Sequence, residues 1–95
     1  MTQQDSYALA RISFYEARFQ GETIHQLVAK FNSLSTSRGW TAERSYFSFA
    51  LIHELQRRKV CLSAICKYTP SGTIKSIRYC PVQYSEKCHS LIPVQ

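Results

Sequence analysis

Cysteine and histidine are the residue types in this chain best suited to metal binding or nucleophilic chemistry. The chain carries four cysteines and three histidines, at Cys61, Cys66, Cys80, Cys88, His25, His53 and His89. Four residues separate Cys61 from Cys66 and seven separate Cys80 from Cys88, spacings that fit a zinc site poorly. Adjacent Cys88 and His89 rarely chelate one ion. We therefore expect no metal site and interpret the cysteines as small apolar side chains on a sheet.

Catalysis by a cysteine needs a base that deprotonates the thiol. No histidine is linked to a cysteine by a recognisable local pattern, and the apolar surroundings of His53 are typical of a hydrogen-bonded structural histidine. The glycines are isolated and form no phosphate-binding loop, and the six acidic residues occur singly. We predict a non-enzymatic protein with no cofactor and no small-molecule substrate.

Positive charge is concentrated in one third of the chain. Twelve Lys and Arg against six Asp and Glu give a net charge of +6. Between Leu55 and Ser85 there is no acidic residue, whereas this segment contains Arg57, Arg58, Lys59, Lys67, Lys75 and Arg78. A positive field of this kind attracts polyanions. Nucleic acid is the first partner we expect, followed by anionic lipid and acidic protein. A solvated basic rim without a specific partner is the alternative.

Two segments in the first half have helical periodicity. Residues 6–19 place apolar side chains on one face, with Asp5 or Ser6 as a cap, although alternating apolar residues leave a strand as the alternative. Thr23–Ser35 carries a clearer apolar stripe, and Thr23 with Gln26 has the form of a capping box. Both segments are predicted as helices.

The next segment, Thr41–Lys59, is predicted as the longest and central helix. Thr41 is its expected cap, Gly39 is the expected left-handed residue before it, and its apolar set is wide enough to face several neighbours. Trp40 is either an anchor against the core or an exposed aromatic that stacks on a base or enters a partner's pocket.

After Lys59 the composition indicates β-structure. Val60–Tyr68 and Thr73–Val82 read as strands joined by a Pro- and Gly-containing turn. Pairing Tyr68 with Thr73 would place Cys61 opposite Cys80, but a reducing compartment argues against a disulfide there. His89–Val94 is a possible third strand, which Pro93 would confine to an edge.

Together these elements predict an α+β fold, three helices followed by an antiparallel β-hairpin or a three-stranded meander. A winged-helix arrangement and a small sheet with helices on one face are the two alternatives. Ninety-five residues fit one small domain, 1–95, in which residues 1–59 are helical and residues 60–95 form the β-structure. Met1–Ala10 lacks the features of a leader, and no apolar run is long enough to span a bilayer. We expect a soluble, cytoplasmic protein without a membrane partner.

The helix–turn–helix-like pair in residues 23–59, followed by a basic hairpin, predicts binding of DNA or RNA. The candidate nucleic-acid-binding residues are Arg38, Thr41, Arg44, Ser45, Ser48, Arg57, Arg58, Lys67, Lys75 and Arg78. Tyr68, Tyr79 and Tyr84 interleave with the last three of these, as a surface that binds single strands requires. The long 36–40 connection and the long second helix count against this reading. A protein–protein interaction or homodimerisation module is the alternative, supported by 13% aromatic residues and an edge strand.

Overall fold

The computed structural model describes residues 3–37, Gly39 and residues 41–94. Within them, three helices precede four short strands that form two separate antiparallel hairpins. The elements are α1 (Gln3–Gln20), α2 (Ile24–Thr36), α3 (Ala42–Arg57), β1 (Cys66–Tyr68), β2 (Ile74–Ile77), β3 (Val82–Ser85) and β4 (Ser90–Pro93). The α+β class is confirmed. The three-stranded meander is not formed, and a winged-helix arrangement is not confirmed.

Side-chain caps define where α2 and α3 begin, as predicted. Thr23 Oγ1 accepts the backbone N–H of Gln26 at 3.1 Å, and Gln26 Oε1 accepts that of Thr23 at 2.8 Å. Thr41 Oγ1 accepts the backbone N–H of Arg44 at 3.1 Å. Gly39 has a φ of +81°, the left-handed conformation that glycine adopts without strain. These local signals fix the helix boundaries to within a residue or two.

The first segment is a helix, and the alternative of a strand is wrong. It begins at Gln3, so Asp5 and Ser6 lie inside α1 and not at the position that precedes its first residue. Phe19 is fully buried on the predicted apolar face, but Leu9 is 54% exposed. None of the described helices is long and apolar enough to cross a membrane.

The core lies where α2, α3 and the two hairpins meet. Its fully buried large side chains are Phe19, Phe31, Leu27, Leu51, Leu55, Leu62 and Leu91, and burial of each stabilises the fold by about 1.5–3 kcal/mol. Helix α1 packs mainly on α3, where the Phe47 ring meets those of Tyr15 and Phe19 edge to face with centroids 5.2 Å apart. Helix α3 is therefore the central helix, as predicted, but the expectation that it is the longest is wrong, because it has 16 residues and α1 has 18.

The first hairpin is shorter than the predicted strands Val60–Tyr68 and Thr73–Val82. Residues 62–65 form a turn instead, because the N–H groups of Ile65 and Cys66 donate to the Leu62 carbonyl at 3.0 and 2.8 Å. Tyr68 pairs with Ile74 and not with Thr73, with an irregularity in the register between Lys67 and Tyr68. Only the portion of the hairpin nearest the predicted turn, β1 with β2, forms paired strands.

The predicted third strand forms its own hairpin as β4, paired with β3. The backbone N–H of Cys61 donates to the His89 carbonyl at 2.8 Å, and that of Leu91 donates to the Cys61 carbonyl at 3.1 Å. Cys61 thereby lies beside Ser90, so the expectation that it faces Cys80 is wrong. All four cysteines carry free thiols.

Both edges of the second hairpin are partly covered. On β3, Asn32 of α2 accepts the Val82 N–H through Oδ1 at 2.7 Å and donates to the Val82 carbonyl through Nδ2 at 3.0 Å. On β4, Cys61 forms the bridge just described, and Pro93 has no N–H to offer. Such features prevent further strands from adding to the sheet.

Candidate nucleic-acid interface

Arg44 was expected to face DNA, but its guanidinium lies at the end of α2. It donates to the carbonyl of Leu34 and to those of Ser37 and Gly39 at 3.2 and 2.6 Å. The last carbonyls of a helix lack partners within the helix and carry partial negative charge. The cation of Arg44 therefore joins the start of α3 to the end of α2.

The polar residues at the start of α3 also have internal contacts. Thr41 Oγ1 caps the helix, and Ser45 Oγ donates to the Thr41 carbonyl at 3.3 Å. Ser48 is 2% exposed, and its hydroxyl lies 2.5 Å from that of Tyr79. Arg38 and Trp40 lie outside the described residues. The expected base-reading side chains thus do not share one outward face.

Arg57 and Arg58 meet at the buried carboxylate of Glu54. Arg57 Nε and Nη2 donate to it at 2.8 and 2.6 Å, and Arg58 Nε donates at 2.6 Å. Hydrogen bonds from Arg57, and secondly from Arg58, hold the pKa of Glu54 below its ordinary value, against the opposing effect of burial. Arg58 Nη2 also donates to the carbonyls of Phe19 and Glu22 at 2.9 and 2.6 Å. The Arg58 side chain therefore links the end of α3 to the end of α1.

Lys67, Lys75 and Arg78, which are all exposed, differ from these arginines in their contacts. Their side chains form no hydrogen bond or ion pair with any residue in the described portion of the chain. Lys67 lies opposite Ser76 in the hairpin, and Arg78 follows Ser76 by two residues. Cross-strand partners share a face, and so do residues two apart along a strand, so Lys67, Ser76 and Arg78 lie on one face. Lys75 lies at the irregularity in the register, between Ser76 and Ile74.

A pocket of about 430 Å³ lies beside the first hairpin, and Lys67 and Arg78 are among its lining residues. Ser63 and Ser76 are its other polar lining residues, and Ile65, Cys66 and Ile77 are apolar ones. We call it the hairpin pocket. Two cations and a hydroxyl group beside one cavity can donate hydrogen bonds to an anion.

The three tyrosines expected to interleave with the basic residues have different environments. Tyr68 is 42% exposed. The ring of Tyr79 instead stacks on the buried Phe31 with centroids 5.8 Å apart, and the hydroxyl of Tyr84 lies against His89 Nδ1. Since the Tyr79 ring packs on the core and the Tyr84 hydroxyl is bonded to His89, Tyr68 is the most exposed member of this set.

The thiols of Cys66 and Cys61 lie in different environments, which shift their pKa values in opposite directions. Burial raises the pKa of the Cys66 thiol to about 11, whereas hydrogen bonds from Ser63 lower the pKa of the exposed Cys61 thiol. Ser63 Oγ lies 3.2 Å from Cys61 Sγ. Among the described residues there is no group of three or more His, Cys, Asp or Glu side chains placed to hold a metal ion.

A larger cavity of about 590 Å³ lies between α1, α2 and the start of α3, and sequence reasoning missed it. Its charged groups are already paired. Glu43 accepts from Arg11 Nε at 2.7 Å and from the Tyr15 hydroxyl at 2.9 Å, and Lys30 lies 3.2 Å from Glu22. The hydrogen bond from Arg11 lowers the pKa of the Glu43 carboxyl. Internal charge pairing makes this cavity less suited to an ionic ligand than the hairpin pocket.

Sequence reasoning also missed Ser63 and Ser76 in the hairpin pocket. Ser76 was detectable, because pairing across the turn places it near Lys67, but Ser63 depends on the turn at residues 62–65. Comparison of the chain with protein-family models, with curated proteins and with solved structures finds no match.

Proposed function

We propose that this protein is a non-enzymatic nucleic-acid-binding module that contacts the phosphate backbone through the β1–β2 hairpin. The observation that supports this most is the set of three exposed cations, Lys67, Lys75 and Arg78, that have no partner among the described residues. They belong to a segment that contains no acidic residue between Leu55 and Ser85. An unneutralised positive surface attracts polyanions and makes their binding sensitive to salt.

This proposal moves the binding surface from α3 to the hairpin. Arg44 and Arg58 hold neighbouring helix ends, and Ser48 is buried, so these three side chains already have roles within the fold. Arg57 is bound to Glu54 but its side chain remains 55% exposed. Among the candidate binding residues, Lys67, Lys75 and Arg78 carry charges that face solvent and form no ion pair or hydrogen bond with another described residue. Contacts to phosphates position a protein on nucleic acid without reading sequence, so we expect weak sequence preference.

The test is fluorescence anisotropy with short labelled single-stranded DNA, single-stranded RNA and duplex DNA over a series of salt concentrations. The triple variant Lys67→Gln, Lys75→Gln, Arg78→Gln should bind more weakly than wild type. The slope of log affinity against log salt should fall by about 3, one for each lost phosphate contact.

A matched control removes the same charge elsewhere. In the variant Arg18→Gln, Lys59→Gln, Lys87→Gln, three other exposed cations are neutralised, and most of the affinity should remain. If both triple variants lose the same amount of affinity, the effect is due to net charge and not to the hairpin. If the wild-type protein binds none of the oligonucleotides at low salt, the proposal is wrong.

Self-association is a second candidate function, favoured by exposed apolar side chains on α1 and α3. Tyr7, Leu9 and Phe14 on α1 and Phe49 on α3 are each about half exposed, between 48% and 58%. Contiguous exposed apolar groups are typical of protein interfaces. A dimer that is insensitive to salt and has no affinity for any of the oligonucleotides would favour this function over the first.

A cytoplasmic location belongs to the same proposal. The chain carries four cysteines as free thiols, two of them exposed, and free thiols persist in a reducing compartment.

A further inference from the structure

The hairpin pocket has a composition that distinguishes it from an ordinary basic surface. Lys67 and Arg78 line it together with Ser63 and Ser76. Strand pairing forces this convergence, since Lys67 lies opposite Ser76 and the Arg78 N–H donates to the Ile65 carbonyl at 2.6 Å. The backbone thus fixes the two cations on one face and at one end of the hairpin.

Lys67 and Arg78 occupy diagonal positions across the antiparallel pair. Such positions are close enough for long side chains to interact, and two positive charges brought together there repel each other. Lys67 and Arg78 have no acidic neighbour in sequence between Leu55 and Ser85, and no described residue forms an ion pair with either. An anion bound between Lys67 and Arg78 would relieve this repulsion and would accept hydrogen bonds from N–H groups that otherwise face solvent.

We propose that the hairpin pocket binds one phosphate group, and that in the polynucleotide complex this is a backbone phosphate. The polynucleotide half of this inference rests on the proposed function. The planar guanidinium of Arg78 matches two phosphate oxygens at once, and the Lys67 ammonium adds a point charge. The hydroxyl of Ser76 donates to a remaining oxygen, whereas that of Ser63 is engaged by Cys61. Lys75, which is outside the pocket lining, contributes to the field but does not contact this phosphate.

The pocket is tested first with inorganic phosphate, without nucleic acid. Backbone amide NMR shifts of the full chain are followed during a phosphate titration at constant ionic strength, with chloride as the balancing anion. Saturable shifts are expected in residues 63–67 and 76–78. The variant Arg78→Gln should weaken phosphate binding about tenfold or more, and Ser76→Ala should weaken it less.

Lys75→Gln is the matched control, because it removes one positive charge from the same strand but not from the pocket lining. It should leave the phosphate affinity within about twofold of wild type, since an exposed charge acts there only through a screened field. Shifts that do not saturate, or equal losses in Arg78→Gln and Lys75→Gln, would overturn the phosphate site. Unchanged amide spectra elsewhere in each variant would show that the fold is intact.

Further titrations separate this inference from the proposed function. If oligonucleotides bind but inorganic phosphate gives no saturable shifts in residues 63–67 and 76–78, the phosphate site is wrong and the nucleic-acid function stands. If inorganic phosphate saturates the pocket and no oligonucleotide binds, the polynucleotide half of the inference is wrong together with the proposed function. A phosphoserine peptide that binds more tightly than any oligonucleotide would overturn that half in favour of a phosphorylated protein partner.

Discussion

At the scale of single residues, the arginines and lysines of this basic protein have different uses. Arg44 donates to the Leu34 carbonyl at the end of α2, and Arg58 donates to the Phe19 carbonyl at the end of α1, so both side chains stabilise the fold. Sequence reasoning assigned both to nucleic acid, because a charge count does not show where a side chain points. One signal was present for Arg58, since Glu54 precedes it by four residues on the same helix. The carbonyl partners were not predictable, because they depend on how the helices pack.

Glu54 is the residue whose change should show this structural role. The variant Glu54→Gln removes the charge that Arg57 and Arg58 share and leaves their donors partly unmatched in a buried position. We expect a loss of about 1–3 kcal/mol in the free energy of unfolding at neutral pH, measured by urea denaturation. The variant Glu43→Gln is the control. It removes an arginine-paired carboxylate whose side chain is 41% exposed, and its effect should be smaller.

The pH dependence of that loss has a definite sign. The folded protein holds the pKa of Glu54 below its ordinary value of 4.5, so the ionised carboxylate favours the folded state. This stabilisation is present above the unfolded pKa and is lost as the pH falls through the lower folded pKa. The stability difference between wild type and Glu54→Gln should therefore narrow in acid. A difference that widens as the pH falls would contradict the assignment.

At the scale of elements, the helices were predictable and the strand pairing was not. Caps at Thr23 and Thr41 and apolar periodicity are local signals, and they placed α2 and α3 to within one or two residues. Pairing of strands is set by distant contacts. Cys61 was expected within a long hairpin, but its backbone bonds to His89 and Leu91, which lie about thirty residues further along the chain. No local pattern in residues 60–65 indicates that bridge.

The Asn32 side chain links α2 to the second hairpin, and substitution of Asn32 tests the contribution of this link to stability. The Asn32 amide satisfies both backbone groups of Val82, a residue that is 3% exposed. The variant Asn32→Ala leaves these groups without that partner, and we expect a loss of about 1–3 kcal/mol in the free energy of unfolding, measured by urea denaturation. Ser33→Ala, at the next position of α2 and exposed, should be neutral or slightly stabilising because alanine favours helix. Equal effects of the two changes would show that the Asn32 contact contributes nothing specific.

At the scale of the whole molecule, the hairpin cations lie apart from the exposed apolar side chains of the helices, although Tyr68 on β1 is also exposed. The unpartnered cations Lys67, Lys75 and Arg78 lie on the β1–β2 hairpin, whereas the large exposed apolar side chains of the helices lie on α1 and α3. The uneven charge of the sequence therefore persists in the fold, although it does so on the hairpin and not on the predicted recognition helix. This separation lets the two candidate functions be tested on one sample.

The most direct measurement is a map of amide chemical shifts when a short single-stranded DNA is added to the full chain at low salt. If the β1–β2 hairpin binds the phosphate backbone, the largest shifts fall in residues 63–67 and 74–78 and become smaller as salt is added. Shifts concentrated on α1 or on residues 45–53 of α3, or no shifts at all at saturating DNA, would contradict the proposal.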